Sequence, residues 1–276
     1  SSGTPVQIGS STTLSFTNGT STVSGSNNGV MTLYKAESVS LTVTISGITS
    51  APVSVTVSPL SASKLVLQAA NGSPAAGAAD NLTITAQDIY GNTATSYAGS
   101  KALTFGGANT SPSGAHPTVS NSSGTAIQFG SSTNITFTSG VSSVSGSSNG
   151  VMILYKAESA SIGVSDGTIS TSSGTSVTVA SPLTPSSLAY VDNNTITADQ
   201  VTGSTSANAT VTATESVGDH VNNTYTATAT AGGGFTIPVE AYNGSSVHQA
   251  FTYSVVAKDA YGNQSSAATV SANDTK

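Results

Sequence analysis

The chain has no cysteine and no tryptophan, and all six of its basic residues are lysines. Without cysteine there are no disulfides, thiolate metal sites or cysteine nucleophiles. Without arginine no side chain can grip a phosphate or carboxylate with a bidentate fork. Charged residues make up 7 % of the chain and the net charge is −6. Electrostatic attraction to nucleic acid or to anionic lipid is therefore not expected, which rules against a nucleic-acid partner. No run of 18 or more apolar residues occurs, so membrane insertion through a helix is not expected either. Aromatic residues amount to 5 %, too few for the flat aromatic platform that polysaccharide recognition generally uses.

What remains is about one-third serine and threonine, a bias that must be read as composition first. The apolar residues are mostly Val, Ile, Leu and Ala in short alternating runs. Examples are Leu14 and Phe16; Leu41, Val43 and Ile45; Val53, Val55 and Val57; Leu82 and Ile84; Ile135 and Phe137; Val177 and Val179; and Phe235, Ile237 and Val239. Period-two alternation marks strands with one face on a core. Asn18-Gly19, Asn28-Gly29, Asn71-Gly72, Asn149-Gly150 and Asn243-Gly244 supply turns between such runs. No stretch keeps a helical period for three turns. The expected fold class is all-β, built of tandem antiparallel sandwiches.

Residues 1–43 are written again at residues 122–164, with Tyr34 returning as Tyr155, a shift of 121 residues. The Ser58-Pro59-Leu60 end returns as Ser181-Pro182-Leu183, a shift of 123. A repeat this long is a domain, not a solenoid turn. Proline-bearing junctions follow both copies, and such linkers act as semi-rigid spacers. Three units are expected: 1–59 as the second half of a repeat, 60–183 as a complete repeat, and 184–276 as a different domain. The opening Ser1-Ser2, without methionine, reads as a processed product or a fragment of a longer array.

Several segments resemble a known family: Lys64-Leu65-Val66-Leu67, Asp88-Ile89-Tyr90-Gly91-Asn92 after a strand, Phe137-Thr138-Ser139-Gly140, and Asp259-Ala260-Tyr261-Gly262-Asn263 before the last strand. Together they are similar to bacterial immunoglobulin-like domains of the invasin/intimin-like and filamin-like types. The last domain is similar to a bacterial Ig-like or fibronectin-III-like module. The resemblance implies Ig-like sandwiches, a non-enzymatic role as stalk, adhesin or filament subunit, an extracellular cell-surface location, and no cofactor. A carbohydrate-binding or spacer segment of a secreted enzyme is the alternative. A repeat of about 120 residues exceeds the roughly 100 of a typical Ig domain. The stretch Ser111-Pro112-Ser113-Gly114-Ala115-His116-Pro117 is expected to absorb the excess.

Candidate sites are few. The two Asp-x-Tyr-Gly-Asn motifs suit a tight turn; a calcium loop is the other reading but would carry more acids. Lys35 and Lys156, in repeated Tyr-Lys-Ala-Glu segments, fit either an exposed ion pair or an isopeptide crosslink of the kind seen in some surface domains. His116, His220 and His248 share no metal-site spacing. Asp192, Asp199, Glu215 and Asp219 are expected as turn acids, with a calcium site the rival reading. Leu14, Phe16, Leu41, Val43, Val53 and Val55 form the apolar face of a half sandwich that cannot bury itself. That face is the expected interaction surface. Self-association with neighbouring subunits or repeats is the expected partnership, with a cell-surface or polysaccharide ligand as a further expectation.

Overall fold

Alternating sequence becomes alternating burial wherever a second sheet is available. The structure, a computed structural model, describes residues 4–193, 198–217, 222–239 and 250–273. It divides into two compact units. One holds residues 1–60 with 88–92, the other residues 61–87 with 93–276. The described elements are strands, paired antiparallel throughout the ladders.

The first unit contains β1 (Phe16–Thr17), β2 (Thr20–Ser21), β3 (Ser38–Leu41), β4 (Thr44–Ile45), β5 (Ile48–Thr49) and β6 (Val53–Thr56). These form three separate two-stranded ribbons, β1-β2, β3-β6 and β4-β5. Two-stranded ribbons are marginal on their own. No residue from 4 to 60 is buried.

The larger unit opens with β7 (Lys64–Ala69), β8 (Ala79–Gln87), β9 (Gly99–Gly106), β10 (Thr118–Ser120) and β11 (Ala126–Gln128). It continues with β12 (Ser132–Thr138), β13 (Val141–Ser142), β14 (Val151–Ile153), β15 (Glu158–Ser165) and β16 (Thr175–Val179). The pairing order is β11-β10-β14-β8-β13-β12-β9-β15-β16, with β7 on the other side of β8. The sheet wraps back on itself. The Thr175 hydroxyl donates to the Leu67 carbonyl, and the Thr178 amide donates to Gly72 O at 2.9 Å. The interior is filled by Leu65, Leu82, Ile84, Leu103, Phe105, Ile135, Phe137, Met152, Ile162 and Val177. The edge of the Tyr97 ring meets Phe137 at 4.9 Å, and its hydroxyl donates to Asp166 at 2.7 Å.

The described residues from 184 to 273 make a second sandwich in the same unit, with a three-stranded and a four-stranded sheet. The first sheet is ordered β17 (Ser186–Val191), β18 (Gln200–Ser204), β21 (Gly234–Pro238). The other is ordered β20 (Thr224–Thr228), β19 (Thr210–Val217), β22 (Ala250–Lys258), β23 (Ala268–Asn273). Its separate core is built on Val201, Val211, Phe235, Ile237, Tyr253 and Val255. The Asn243-Gly244 turn lies outside the described residues.

The repeat allows a comparison within one molecule. Asn149 accepts from Thr136 N at 2.7 Å and donates to Thr136 O and Ser143 O. Asn28 does the same with Ser15 and Thr22, each 121 residues earlier. Local turn chemistry is thus identical in both copies. The register of β3 with β6 and of β15 with β16 maps Val55 onto Val177, a shift of 122. The 123 read at the proline junction therefore includes one residue added after the strand.

What differs is burial. Ile135, Phe137, Ile162 and Val164 are 0–3 % exposed. Their counterparts Phe16 and Val43 are 51 % and 56 % exposed, and Leu14 and Leu41 are only half-buried. In the second copy β9 runs between β12 and β15, and β8 holds β13 and β14. Among the described residues no strand of the first unit takes those places, and residues 11–15 have no ladder. Gly19 and Gly140 occupy the same positive-φ turn. A Cβ on Gly140 would press on Ala94 O at 2.7 Å, while one on Gly19 would meet nothing.

Truncation should report this asymmetry. Phe137→Ala should destabilise its sandwich by about 3–5 kcal/mol. Phe16→Ala, at the equivalent position, should change stability by less than about 0.5 kcal/mol. Denaturant unfolding of the full chain measures both.

Candidate interaction surfaces

The Asp-x-Tyr-Gly-Asn loops are built alike. In the first, Asp88 Oδ1 accepts from the Tyr90 and Asn92 amides, both at 2.9 Å. Its Oδ2 accepts from Asn92 Nδ2 at 2.9 Å and from the Leu60 amide at 3.0 Å. Gly91, at φ 87°, closes the turn by donating to Asp88 O. In the second loop Asp259 Oδ1 accepts from Tyr261 and Asn263 amides, and Oδ2 accepts from Asn263 Nδ2 at 2.7 Å. The carboxylates are thus occupied by N–H donors, as the turn reading expects. Among the described residues no three His, Asp or Glu converge on a point that could hold a metal.

The aspartate fixes the asparagine, and the asparagine reaches outward. Asn92 Nδ2 donates to Tyr34 O at 2.7 Å, and Asn92 Oδ1 accepts from Ala36 N at 2.8 Å. Asn263 Nδ2 donates to Tyr155 O at 2.8 Å, and its Oδ1 accepts from Ala157 N at 2.7 Å. Taking the carbonyl of one residue and the amide two residues on is what a residue of a parallel neighbouring strand does. One side chain therefore stands in for a strand. The tyrosines add a ring contact: Tyr34 with Tyr90 at 4.7 Å and 56°, Tyr155 with Tyr261 at 4.9 Å and 59°. Offset aromatic pairs of this kind contribute about 0.5–1.5 kcal/mol beyond their burial.

The second site is more enclosed. Ser113 N donates to Tyr261 O at 3.0 Å. A Cβ on Gly77, at φ 77°, would collide with the Tyr261 ring, so glycine leaves the space in which the ring sits. The long Ser111–Pro117 stretch, read from sequence only as excess length, thus supplies part of this seat. Tyr155 and Tyr261 are half-buried, whereas Tyr34 and Tyr90 are each 55 % exposed.

The other candidates fall elsewhere. Lys35 pairs with Glu37 at 2.7 Å in the open. Lys156 pairs with Glu158 at 3.1 Å, and Glu158 also accepts from the Asn109 amide and Asn109 Nδ2. Burial raises the Glu158 pKa, but the bonds from Asn109 and the nearby Lys156 outweigh it and hold the carboxyl below its usual range. His116 Nδ1 lies 2.9 Å from the Thr110 hydroxyl. His220, His248 and Asp219 lie outside the described residues. Asp199 accepts from the Tyr190 hydroxyl at 2.6 Å and from Asn193 N at 2.9 Å. The predicted face of Leu14, Phe16, Leu41, Val43, Val53 and Val55 is exposed or half-buried throughout. The outward use of Asn92 and Asn263 was missed from the sequence. Its one signal was the recurrence of the motif in two unlike domains.

Residues 182–274 match the family described as bacterial Ig domain. No match to the chain is found among curated proteins.

Burial raises the Asp88 pKa, but hydrogen bonds from the Asn92 side chain and from the Leu60, Asn92 and Tyr90 amides bring it below 3.8. A carboxylate whose folded pKa lies below its unfolded value stabilises the loop fully above the unfolded value. That contribution is lost as pH falls through the lower, folded value. The Tyr90 and Asn92 amide resonances should therefore titrate together with a midpoint below 3.8, followed by nuclear magnetic resonance in an acid titration.

Proposed function

From a bacterial Ig domain at residues 182–274, a non-catalytic domain type characteristic of surface and extracellular proteins, we propose that this chain is an extracellular structural repeat protein. Its role is to project or connect rather than to catalyse, as a stalk, adhesin or surface filament subunit. Low charge and β-rich sandwiches with hydroxyl-rich surfaces suit that role. Among the described residues no helix is long and apolar enough to cross a membrane.

The observation that carries the finer reading is the unequal burial of the two copies. Phe137 is 2 % exposed where β8 and β9 complete the sandwich, and Phe16 is 51 % exposed without them. We read residues 1–60 as an acceptor that takes strands of the β8 and β9 type from a neighbouring subunit. Strand addition gives affinity through backbone hydrogen bonds and register through alternate side chains. Donor and acceptor surfaces differ, so the contact is head-to-tail and extends into a filament.

Sedimentation and electron microscopy test this. The full chain should form concentration-dependent polymers, and deletion of residues 1–59 should abolish them while both later sandwiches stay folded. A full-length monomer whose residues 1–59 resist protease would overturn it.

A further inference from the structure

The two Asp-x-Tyr-Gly-Asn loops sit at different places in their sandwiches. One follows β8, near the start of its repeat; the other joins β22 to β23, at the end of its domain. The surrounding sequences and sheet orders differ. The contacts made by the loops nevertheless match bond for bond, to a Tyr-Lys-Ala-Glu segment in each case. A shared ancestral position does not account for that agreement. The loop and its target segment do.

We propose that Asp-x-Tyr-Gly-Asn is a recognition loop whose partner is an Ig-like repeat presenting a Tyr-Lys-Ala-Glu edge, and that it joins consecutive sandwiches in one direction. The division of labour follows from the atoms. The aspartate uses its carboxylate to hold the loop closed and aim the asparagine. The asparagine amide reads the backbone at the tyrosine and the alanine of the target, Tyr155 and Ala157. The paired tyrosines supply the apolar contact. The second position of the motif takes no part: Ile89 is 71 % exposed and Ala260 is also exposed. Residues 184–276 carry a loop but no second Tyr-Lys-Ala-Glu segment. By this rule that domain can follow a repeat, but no further loop of this type can seat on it.

The full chain serves as the test, read by amide hydrogen exchange resolved by residue. The Ala157 amide donates to Asn263 Oδ1 across the joint. Val177 and Val255 lie in the cores of the two sandwiches and report whether each stays folded. Asn263→Ala should speed exchange at Ala157 about tenfold or more, the loss expected for a removed hydrogen bond at a joint that then opens. Val177 and Val255 should be unchanged. Ala260→Ile, which installs the residue of the first loop, should leave all three unchanged. Should Asn263→Ala unfold residues 184–276, Tyr155→Ala decides from the opposite side, since it leaves every bond within the loop in place; it should speed exchange at Ala157 with Val255 still protected. Unchanged protection at Ala157 in both variants would overturn the proposal, as would loss at Ala157 only in step with Val177 and Val255.

Discussion

An alternating strand has one apolar face, and something must lie over that face. In this molecule β8 and β9 complete the sandwich that does so for residues 122–183. β9 lies between β12 and β15, and β8 anchors β13 and β14. Around these two strands Ile84, Leu103 and Phe105 meet Ile135, Phe137 and Ile162 as one core. The hairpins of residues 1–60 have the same turns, the same asparagine braces and nearly the same apolar residues. Without the two strands they stay as separate ribbons with no buried residue. Hydrogen bonds made within a hairpin survive; the hydrophobic contribution needs the second layer.

The joint between sandwiches uses different physics. It relies on a carboxylate and an amide in fixed geometry, with a tyrosine pair beside them. An amide with both hydrogens and its oxygen satisfied is directional, which suits a connection that must hold an orientation. This joint, within the larger unit, also has the Gly77 recess and the Ser113 contact. Residues 61–121 supply both, the same segment that completes the core of the larger unit. Core and joint are therefore both finished by one half of the repeat.

Much of this was legible in the sequence. Period-two runs at Leu82 and Ile84, or at Ile135 and Phe137, became strands with alternating burial. The Asp-x-Tyr-Gly-Asn motifs became tight turns, since Asp and Gly act through their own backbone within five residues. The outward reach of Asn92 and Asn263 was not legible, because their partners lie 56 and 106 residues away at Ala36 and Ala157. Nor was the use of the Ser111–Pro117 stretch, whose contact with Tyr261 depends on how two sandwiches meet.

The sequence by itself determined the local layer: strand positions, turn types, and the repeat that makes residues 1–43 and 122–164 equivalent. These depend on backbone conformation and on neighbours a few residues apart. The phase of the repeat already left residues 1–59 as a half sandwich; only the tertiary structure decided which strands complete the other copy and how deeply each residue is buried. Leu14 and Ile135 occupy the same place in the pattern, yet one is half-buried and the other is 0 % exposed. Burial belongs to the pair of surfaces that meet, and the side chains of β8 and β9 share one core with those of the second copy.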